Sequence, residues 1–592
     1  MNYPVWELQA SGLLIALISI LHVFVSHIAV GGGLFLVLAE GKARREGDAA
    51  LLDYVRGLSR FFILLTLVFG AITGVGIWFA ISLVHPAATS SLINTFVWGW
   101  AIEWTFFLVE IAAAMVYYHG WDRLSARQHL LVGWIYFAAA YFSLVVINGI
   151  LSYMLTPGDW LVTRRFWDGF FNPTYWPSLA ARTVGALGLA GLWAIFTAAF
   201  LKDAGLKTRV ARYAGLGWVL PMAVALPFSL AWYFSAAASA GVGLDEIFAG
   251  PVHGLGSLIV AAFTGPAASG YPVARIAARV VAIAIVALLA TVAVVLARRG
   301  RYGRVSATLV LICGLFSIGG AEWVREDIRK PFVIGGYLFV NGVRLPPAPG
   351  APVPPAGHEA DPFSLDALRH SGILAASPWV RLREPFSPGD ARAEGEDPRH
   401  ELDEEAQAGS EIFRLACSAC HTLDGYHAIR PLVKGRSSST LEGVISRLAV
   451  PAEGGGDAAW AGTGLRVKTW LGRRMPPFPG TDVEARALSV HLARIGGGEI
   501  TPAAPASAAP DGAQIFESAC AVCHGPEGEW PIEKRLRGRS AGEFYDLIGR
   551  LPEVNPDMPP FEGTDAERRA LADHLGAWAA HERREGEGDD RR

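Results

Sequence analysis

The sequence predicts a mainly α-helical protein, in which a polytopic membrane bundle of about eight helices is followed by two small all-α domains. Long apolar segments fill residues 1–340 of a 592-residue chain that is 52% hydrophobic and only 18% charged. Two Cys-x-x-Cys-His motifs stand in the more polar remainder. The mean hydropathy of +0.33 excludes a single soluble domain, and the net charge of −3 gives no basic excess for nucleic acid.

The apolar segments have the length of membrane spans, since about 20 helical residues cross the hydrocarbon core. Eight segments reach this length, near residues 12–40, 58–84, 94–118, 130–155, 179–201, 214–238, 275–297 and 305–326. The first is too long for the core of a signal peptide, so we expect it to remain as a membrane helix. The segment 244–266 contains two Gly-Pro pairs and is expected to be an external loop or an interfacial segment.

Lysine and arginine are distributed unequally between the loops on the two sides of the membrane. The loops after predicted helices 1, 3, 5 and 7 contain fifteen, whereas the alternate loops contain only Arg164 and Arg165. Positive residues accumulate on the cytoplasmic side. The N-terminus is therefore predicted outside a bacterial inner membrane, and eight crossings leave residues 327–592 in the periplasm.

Two motifs in the C-terminal part have the spacing of covalent haem attachment. They are Cys417-Ser-Ala-Cys420-His421 and Cys520-Ala-Val-Cys523-His524. In such a motif the two thiols add across the porphyrin vinyl groups, and the adjacent His lies beneath the iron as an axial ligand. A zinc knuckle or a chance match is the alternative for a single motif, and the repetition argues against it.

Both motifs stand inside a longer repeat. A Gly-x-x-Ile-Phe segment precedes each motif, at Gly409 and Gly512, and Met-Pro-Pro-Phe follows, at Met475 and Met558. A methionine opposite the histidine is the usual second axial ligand of an electron-transfer cytochrome c, so both methionines are predicted ligands. The first copy has 20 extra residues, expected near 450–465.

Both copies resemble class I cytochrome c domains, and each is expected to carry one covalent haem c. We predict a membrane domain at 1–340, a Pro-rich linker at 341–400, cytochrome c domains at 401–497 and 511–592, and a second linker at 498–510.

Ionisable side chains within the predicted membrane helices are candidates for chemistry, because each costs at least ~2.5 kcal/mol at bilayer depth. They occur on the first, third and last helices as His22, His27, Glu103, Glu110, Glu322 and Glu326. Three of them, His22, Glu103 and Glu326, are expected to converge in the outer leaflet. Glu103 and Glu110 are two turns apart on one helix face, which suits a ligand or acid at one end and a proton relay at the other.

Several segments of residues 1–340 are similar to one family. These are Leu21-His22 with Gly31, Ala101-Ile-Glu103 leading through Glu110 to Gly120-Trp-Asp-Arg-Leu124, Gln128-His129, Asn148-Gly149, and Glu322 to Phe332. In these segments the chain resembles subunit I of the cytochrome bd oxidase superfamily.

The resemblance implies that His22 and Glu326 are axial ligands of a haem pair, with Arg329 also binding haem. It implies that Glu103 is a ligand or a distal carboxylate, and that Glu110 belongs to the proton path. About two non-covalent haems are expected, of type b with or without type d. A second membrane subunit or a homodimer is also implied.

The chain departs from the quinol-oxidising members of this family at the third haem. They hold that haem through a His on helix 5 and a Met on a later helix, whereas this chain has Arg182 at the first place and only Met222 in helices 6–8. The long quinol loop, with its lysine and acidic residues, is also missing from residues 239–274. We therefore expect the third haem and the quinol site to be lost.

Loss of the quinol site together with two haem c domains predicts a terminal oxidase that reduces O2 to water. Its electrons would come from a periplasmic donor, a cytochrome c or a similar protein. A reductase of another acceptor such as nitric oxide, and an electron conduit or redox sensor without substrate chemistry, remain open alternatives. His27 has no family counterpart and is either an extra ligand or a helix-packing residue.

Overall fold

The structure is a computed structural model that describes residues 11–242, 244, 255–264, 272–298, 301–345, 361–382, 398–425, 427–446, 448, 475–501, 511–525, 532, 539–554, 558, 561 and 563–589. These residues form two compact units, which we call the membrane unit (to residue 345) and the C-terminal unit (from residue 361). The predicted external segment 244–266, both predicted linkers, the insertion near 450–465 and the Cys523 side chain lie wholly or partly outside the described residues.

The membrane unit contains, within its described residues, eight helical spans that are long and apolar enough to cross a membrane. This confirms the predicted fold class. The spans are α1 (Ser11–Glu46), α2 (Ala49–Leu64) with α3 (Ala71–Val84), α5 (Val97–His119), α6 (Ala126–Leu155), α9 (Tyr175–Ala198), α10 (Ala204–Ala214) with α11 (Leu220–Ser239), α13 (Pro272–Ala297) and α14 (Arg304–Arg329). The paired helices are joined by π turns at Leu65–Gly70 and Gly215–Val219.

Short elements close one end of this bundle. They are α4 (Pro86–Thr95), α7 (Trp160–Thr163), α8 (Phe166–Phe170), α12 (Leu255–Thr264), β1 (Phe332–Ile334) and β2 (Leu338–Phe339). The antiparallel β1–β2 hairpin follows α14 and is tied to α6 by a bond from the Gly335 N–H to the Met154 carbonyl, at 2.9 Å. The Arg164 guanidinium lies 4.2 Å from the Trp160 ring and 4.8 Å from the Tyr337 ring, which fixes the α7 loop against the hairpin.

Helix α1 runs further than the sequence predicts, and the expected loop after it is reduced to Gly47 and Asp48. Basic residues in its last turn complement the negative end of the helix dipole, and Arg44 pairs with Glu40 at 2.7 Å. The side chain of Asp48 then accepts a bond from the Leu51 N–H at 3.0 Å and caps α2. These polar side chains extend the helices beyond their apolar cores.

The core of the membrane unit forms where α1, α2, α9, α10, α13 and α14 meet. Helices α1 and α9 approach most closely at Gly31, where a Cβ atom would lie 2.0 Å from the carbonyl oxygen of Ala186. Only glycine permits this contact, which fixes the height of α1 against α9. The two histidines of α1 are thereby held at defined positions in the bundle.

The C-terminal unit is also helical in its described part. Its helices are α15 (Leu365–Ser371), α16 (Ile373–Ala376), α17 (Pro398–Ile412), α18 (Arg430–Val433), α19 (Ser438–Ser446), α20 (Asp482–Gly496), α21 (Gly512–Ala519), α22 (Ala521–His524), α23 (Ala541–Ile548), α24 (Leu551–Val554) and α25 (Asp565–Asp589). A π turn, Phe413–Cys417, continues α17 into the first Cys-x-x-Cys-His motif. The described residues from 361 to 501 are called the first module and those from 511 on the second.

The two modules are built around the same helix crossing. In the first, a Cβ atom at Gly409 of α17 would lie 2.0 Å from the Ala487 carbonyl oxygen of α20. In the second, a Cβ atom at Gly512 of α21 would lie 2.0 Å from the Ala570 carbonyl oxygen of α25. The sequence repeat is therefore also a repeat of backbone contact.

The repeated histidines of the last helices pack beside this crossing. The rings of His491 and Phe413 have centroids 6.1 Å apart, and those of His574 and Phe516 are 6.0 Å apart. Both histidines are half-buried, in keeping with a packing role.

Candidate haem sites

His22 faces α3 and has one ring nitrogen held by a hydroxyl. Its Nδ1 lies 3.0 Å from Thr73 Oγ1, and the Thr73 hydroxyl itself donates to the Phe69 carbonyl at 2.6 Å. Because a hydroxyl has one proton, Thr73 must accept from the His22 Nδ1–H. The Nε2 atom of His22 then carries the lone pair, which is the state of a histidine that binds a metal through Nε2.

The two carboxylates of α5 face α6. Glu103 accepts a hydrogen bond from the Ser143 hydroxyl at 3.0 Å and is half-buried. Glu110 is only 6% exposed and lies within electrostatic range of Glu103 and of Tyr136. This arrangement can hold protons, since both groups are removed from bulk water and one has a hydroxyl partner.

The end of α14 carries a buried network of arginines and glutamates, which we call the arginine cluster. Its members are Arg182 of α9 and Glu322, Arg325, Glu326 and Arg329 of α14. Arg182 pairs with Glu322 at 3.1 Å, and Arg325 joins Glu322 at 2.8 Å and Glu326 at 2.7 Å. Arg329 also pairs with Glu326. The candidate ligand Glu326 is thus held by two guanidinium groups.

Three guanidinium nitrogens of the arginine cluster have no hydrogen-bond acceptor among the described residues. They are Arg182 Nε, Arg325 Nη1 and Arg329 Nε, and all are buried. A buried donor without a partner costs about 1–3 kcal/mol. Carboxylates are the preferred acceptors of guanidinium groups, so the cluster fits the propionate groups of a haem.

His27 lies on another face of α1 from His22. It is 5% exposed, its Nδ1–H donates to the Val23 carbonyl at 2.8 Å, and it lies within electrostatic range of Arg182 and Glu322. Its Nε2 makes no hydrogen bond within the described part of the chain. The position suits a ligand and a packing residue equally well, so both alternatives for His27 stay open.

Met222 is not positioned opposite a ligand on α9. It lines a cavity of about 370 Å³ between α9, α11, α13 and α14 that is almost wholly apolar. A Cβ atom at Gly188 of α9 would lie 3.4 Å from the Met222 Cβ, so the two helices are in ordinary contact there. Arg182 does not line this cavity and is paired with Glu322.

A buried polar cluster at the opposite end of α1 was not anticipated. Glu40 is fully buried; it accepts from Tyr117 Oη at 2.7 Å, Arg44 Nε at 2.7 Å and His129 Nδ1 at 2.9 Å. The His129 Nε2–H donates to the Tyr117 carbonyl at 2.9 Å.

The ring of His129 is fully buried and is enclosed between Tyr117 and Trp121. A glutamate near the end of an apolar helix is the sequence signal that could have drawn attention to Glu40.

His85 is a further histidine with a partly enclosed environment. It is half-buried at the start of α4. Burial, with the nearby positive charges of Lys330 and Arg329, lowers the pKa of His85 to about 3. The ring is therefore neutral at ordinary pH.

In the first cytochrome module, the His421 ring is oriented as a haem ligand would be. Its Nδ1–H donates to the His427 carbonyl at 3.0 Å, which leaves Nε2 as the lone-pair nitrogen. Burial raises the pKa of the Cys417 thiol to about 12, in keeping with a thiol that packs against an apolar core. Cys420 and Met475 are half-buried in the same module.

In the second module, Cys520 packs on the module core and the N–H of His524 bonds to its carbonyl at 2.9 Å. His524 and Met558 are half-buried. The predicted haem ligands thus occupy corresponding places in the two modules. Met475 and Met558 precede the last helix of each module, and the two Cys-x-x-Cys-His motifs follow the helix that contains Gly409 or Gly512. Their roles as ligands remain predictions.

Comparison with known proteins gives two family matches. Residues 11–246 match the family described as cytochrome bd terminal oxidase subunit I, and residues 507–575 match that described as cytochrome c oxidase, cbb3-type, subunit III. No curated protein matches the sequence.

Among solved structures, the bd oxidase from Geobacillus thermodenitrificans is similar with 16% identity and a TM-score of 0.44, over 55% of this chain and 88% of that chain.

The two matches fall on the two units of the structure. The first lies within the eight-span bundle and the second on the second module, whose construction the first module repeats. These matches imply haem b or d in the membrane unit and haem c in the cytochrome region. The chain thus joins a multi-pass membrane unit that matches the cytochrome bd terminal oxidase subunit I family to a C-terminal region that matches a cytochrome c family.

Proposed function

We propose that the protein is a membrane-bound terminal oxidase that receives electrons through its two haem c modules and reduces O2 to water at a haem pair in the membrane unit. One observation carries the proposal. Arg182, at the place expected for a third haem's histidine, is buried in an ion pair with Glu322, while two haem c motifs extend the chain. Electrons would then enter through the haem c modules and not through a third haem that serves quinol.

The residues that would hold the membrane haems fit that role in different ways. His22 offers Nε2 because Thr73 fixes the proton on Nδ1. Glu326 offers a carboxylate that Arg325 and Arg329 hold in place. The free donors of the arginine cluster suit propionates. When bound, haem supplies the iron that carries electrons and binds dioxygen.

Protons are proposed to reach the site along α5. Glu110 is enclosed by the bundle and lies two helical turns from Glu103, and Glu103 is oriented by the Ser143 hydroxyl. A carboxylate in such surroundings can hold a proton and pass it on. Glu110 is accordingly proposed as a relay residue and Glu103 as a ligand or a distal acid.

Electrons are proposed to come from a periplasmic donor, a cytochrome c or a similar protein. The excess of lysine and arginine in alternate loops favours an outer location for residues 327–592 and for the candidate ligands His22 and Glu326. We therefore propose the inner membrane of a bacterium as the location. A second membrane subunit or a homodimer is proposed on family grounds alone.

Oxygen uptake by the purified holoprotein tests the proposal. We expect uptake with reduced cytochrome c and none with quinol alone, and two covalent haems plus about two extractable ones in pyridine-haemochrome spectra. His22→Ala should abolish uptake and remove extractable haem, whereas the matched change at the exposed His119, His119→Ala, should do neither.

Quinol-driven uptake, or a membrane unit without extractable haem, would overturn the proposal. Consumption of nitric oxide without consumption of oxygen would instead indicate a nitric oxide reductase. Absence of any carbon monoxide-binding haem would favour an electron conduit.

A further inference from the structure

Helix α19 lies between the two cytochrome modules. One of its faces places Leu441 and Ile445 in the core of the first module, which Cys417 of the first haem motif also contacts. Its other face packs against α21 of the second module. Helix α21 ends at Ala519, one residue before Cys520 of the second haem motif. The two motif segments therefore lie on opposite sides of a single helix, about 10 Å in diameter.

Backbone approaches backbone at the centre of this contact. A Cβ atom at Gly443 of α19 would lie 2.0 Å from the carbonyl oxygen of Ser518, a distance that any larger residue would have to relieve by moving the modules apart. Ser518 stands two residues before Cys520 in the sequence. This close approach between the modules is thus beside Cys520 of the second haem motif.

A carboxylate at the same contact is held by two hydroxyl groups from the other module. Glu517 of α21 accepts from Ser437 Oγ at 2.9 Å and from Thr440 Oγ1 at 2.9 Å. Thr440 is 3% exposed, so the bond is shielded from water. Hydrogen bonds to a charged acceptor are stronger than those between neutral groups, so this contact is held by polar bonds as well as by close packing.

The end of the first module is fixed to the same helix. The Thr501 N–H donates to Ser438 Oγ at 2.9 Å, the Ser438 N–H donates to the Glu499 carbonyl at 2.9 Å, and Arg486 also bonds to the Thr501 carbonyl. The second module begins at Asp511, so nine residues join the two anchored ends. Short connections of this kind give effective concentrations in the millimolar range, which favour docking of the modules.

We propose that the two cytochrome modules dock as a fixed pair across α19, and that electrons pass between them through this contact. In each transfer one module is oxidised by one electron and the other is reduced by one, without a proton or a leaving group. The inference rests on the proposed attachment of haem c at both motifs, but not on the identity of the final acceptor.

The test uses the full-length holoprotein and the circular dichroism of its Soret band. Two haems held at a fixed short separation give a bisignate signal, which we expect in the wild type. Gly443→Leu should remove this component and slow the equilibration of electrons between the c haems in stopped flow, and Glu517→Gln should weaken both effects. Gly542→Ala is the matched control, because a Cβ atom there meets nothing within 4 Å.

Haem counting separates the possible failures. Pyridine-haemochrome spectra must give two covalent haems in every variant, so that a changed signal reports docking and not lost haem. Fewer than two covalent haems in the wild type would contradict the proposed attachment, and with it this inference. A Gly443→Leu variant with both haems and an unchanged bisignate signal would overturn the docked pair while leaving the proposed oxidase activity untouched.

Discussion

The hydroxyl of Thr73 is expected to control haem binding at His22. Thr73→Val keeps the shape of the side chain but removes the acceptor that lies 3.0 Å from His22 Nδ1. The lost bond is worth about 1 kcal/mol, and the ring is then free to carry its proton on Nε2, where it cannot ligate. Loss of such a supporting bond typically reduces metal affinity or activity about 10–100-fold, and we expect an effect in this range.

The covalent haems supply an internal standard for the measurement. We would measure extractable haem per covalent haem c in detergent-purified protein, together with the optical spectrum and the midpoint potential of the extractable haem. Thr73→Ser retains the hydroxyl and should restore all three. Thr105→Val is a matched control, because Thr105 makes the same kind of bond to its own helix, to the Ala101 carbonyl at 2.9 Å, but is exposed.

The reasoning on His22 would be refuted by either of two results. Thr73→Val with wild-type haem content, spectrum and potential would mean that the hydroxyl does not fix the ring. Equal damage from the Ser and Val variants would mean that packing at this position matters and the hydrogen bond does not.

Three further predictions concern stability, measured by thermal unfolding of the purified protein. Gly31→Ala should lower the free energy of unfolding by roughly 1–3 kcal/mol, because its Cβ would meet the α9 backbone at 2.0 Å, whereas Gly185→Ala meets nothing within 4 Å and should not. Glu322→Leu leaves the Arg182 charge buried and should cost about 3–5 kcal/mol, and the double variant with Arg182→Leu should recover part of it. Because burial lowers the pKa of His85 to about 3 and the unfolded chain takes up a proton near pH ~6.5, stability should fall as the pH drops below that value; His85→Gln should reduce this loss.

The apolar segments determine the number of membrane helices, and that number could be predicted because about 20 apolar residues in a row have few other stable environments. The ends could not be predicted equally well. Lys42, Arg44 and Glu46 interrupt the apolar pattern, so hydropathy predicts that the first helix stops before them. The structure continues the helix to Glu46, because Lys42 pairs with Glu46 and Arg44 pairs with Glu40 along it. These ion pairs form only when the residues are helical, and hydropathy alone does not predict a helix over the last turns of α1.

Burial of single polar groups depends on contacts between distant parts of the chain. Glu40 and His129 are 89 residues apart, and nothing in the sequence around either one indicates the other. In contrast, the crossing at Gly409 and Ala487 recurs at Gly512 and Ala570, and the spacing of the repeat made the second module predictable from the first. Repetition supplies the long-range information that a single helix lacks.

The arginine cluster links two parts of the proposal, the expected loss of a third haem and the binding of propionates by the proposed haem pair. Arg182 needs a buried counter-charge and takes it from Glu322, so α9 contributes a charged hydrogen-bond donor at the place expected for a haem-ligating histidine. The same cluster retains three buried N–H groups without acceptors, and leaving all three unpaired would cost several times about 1–3 kcal/mol. Bound carboxylates remove that cost. On the proposed function, Arg182 thus has two effects: it replaces the histidine expected to hold a third haem, and it adds a donor for the propionates of the proposed haem pair.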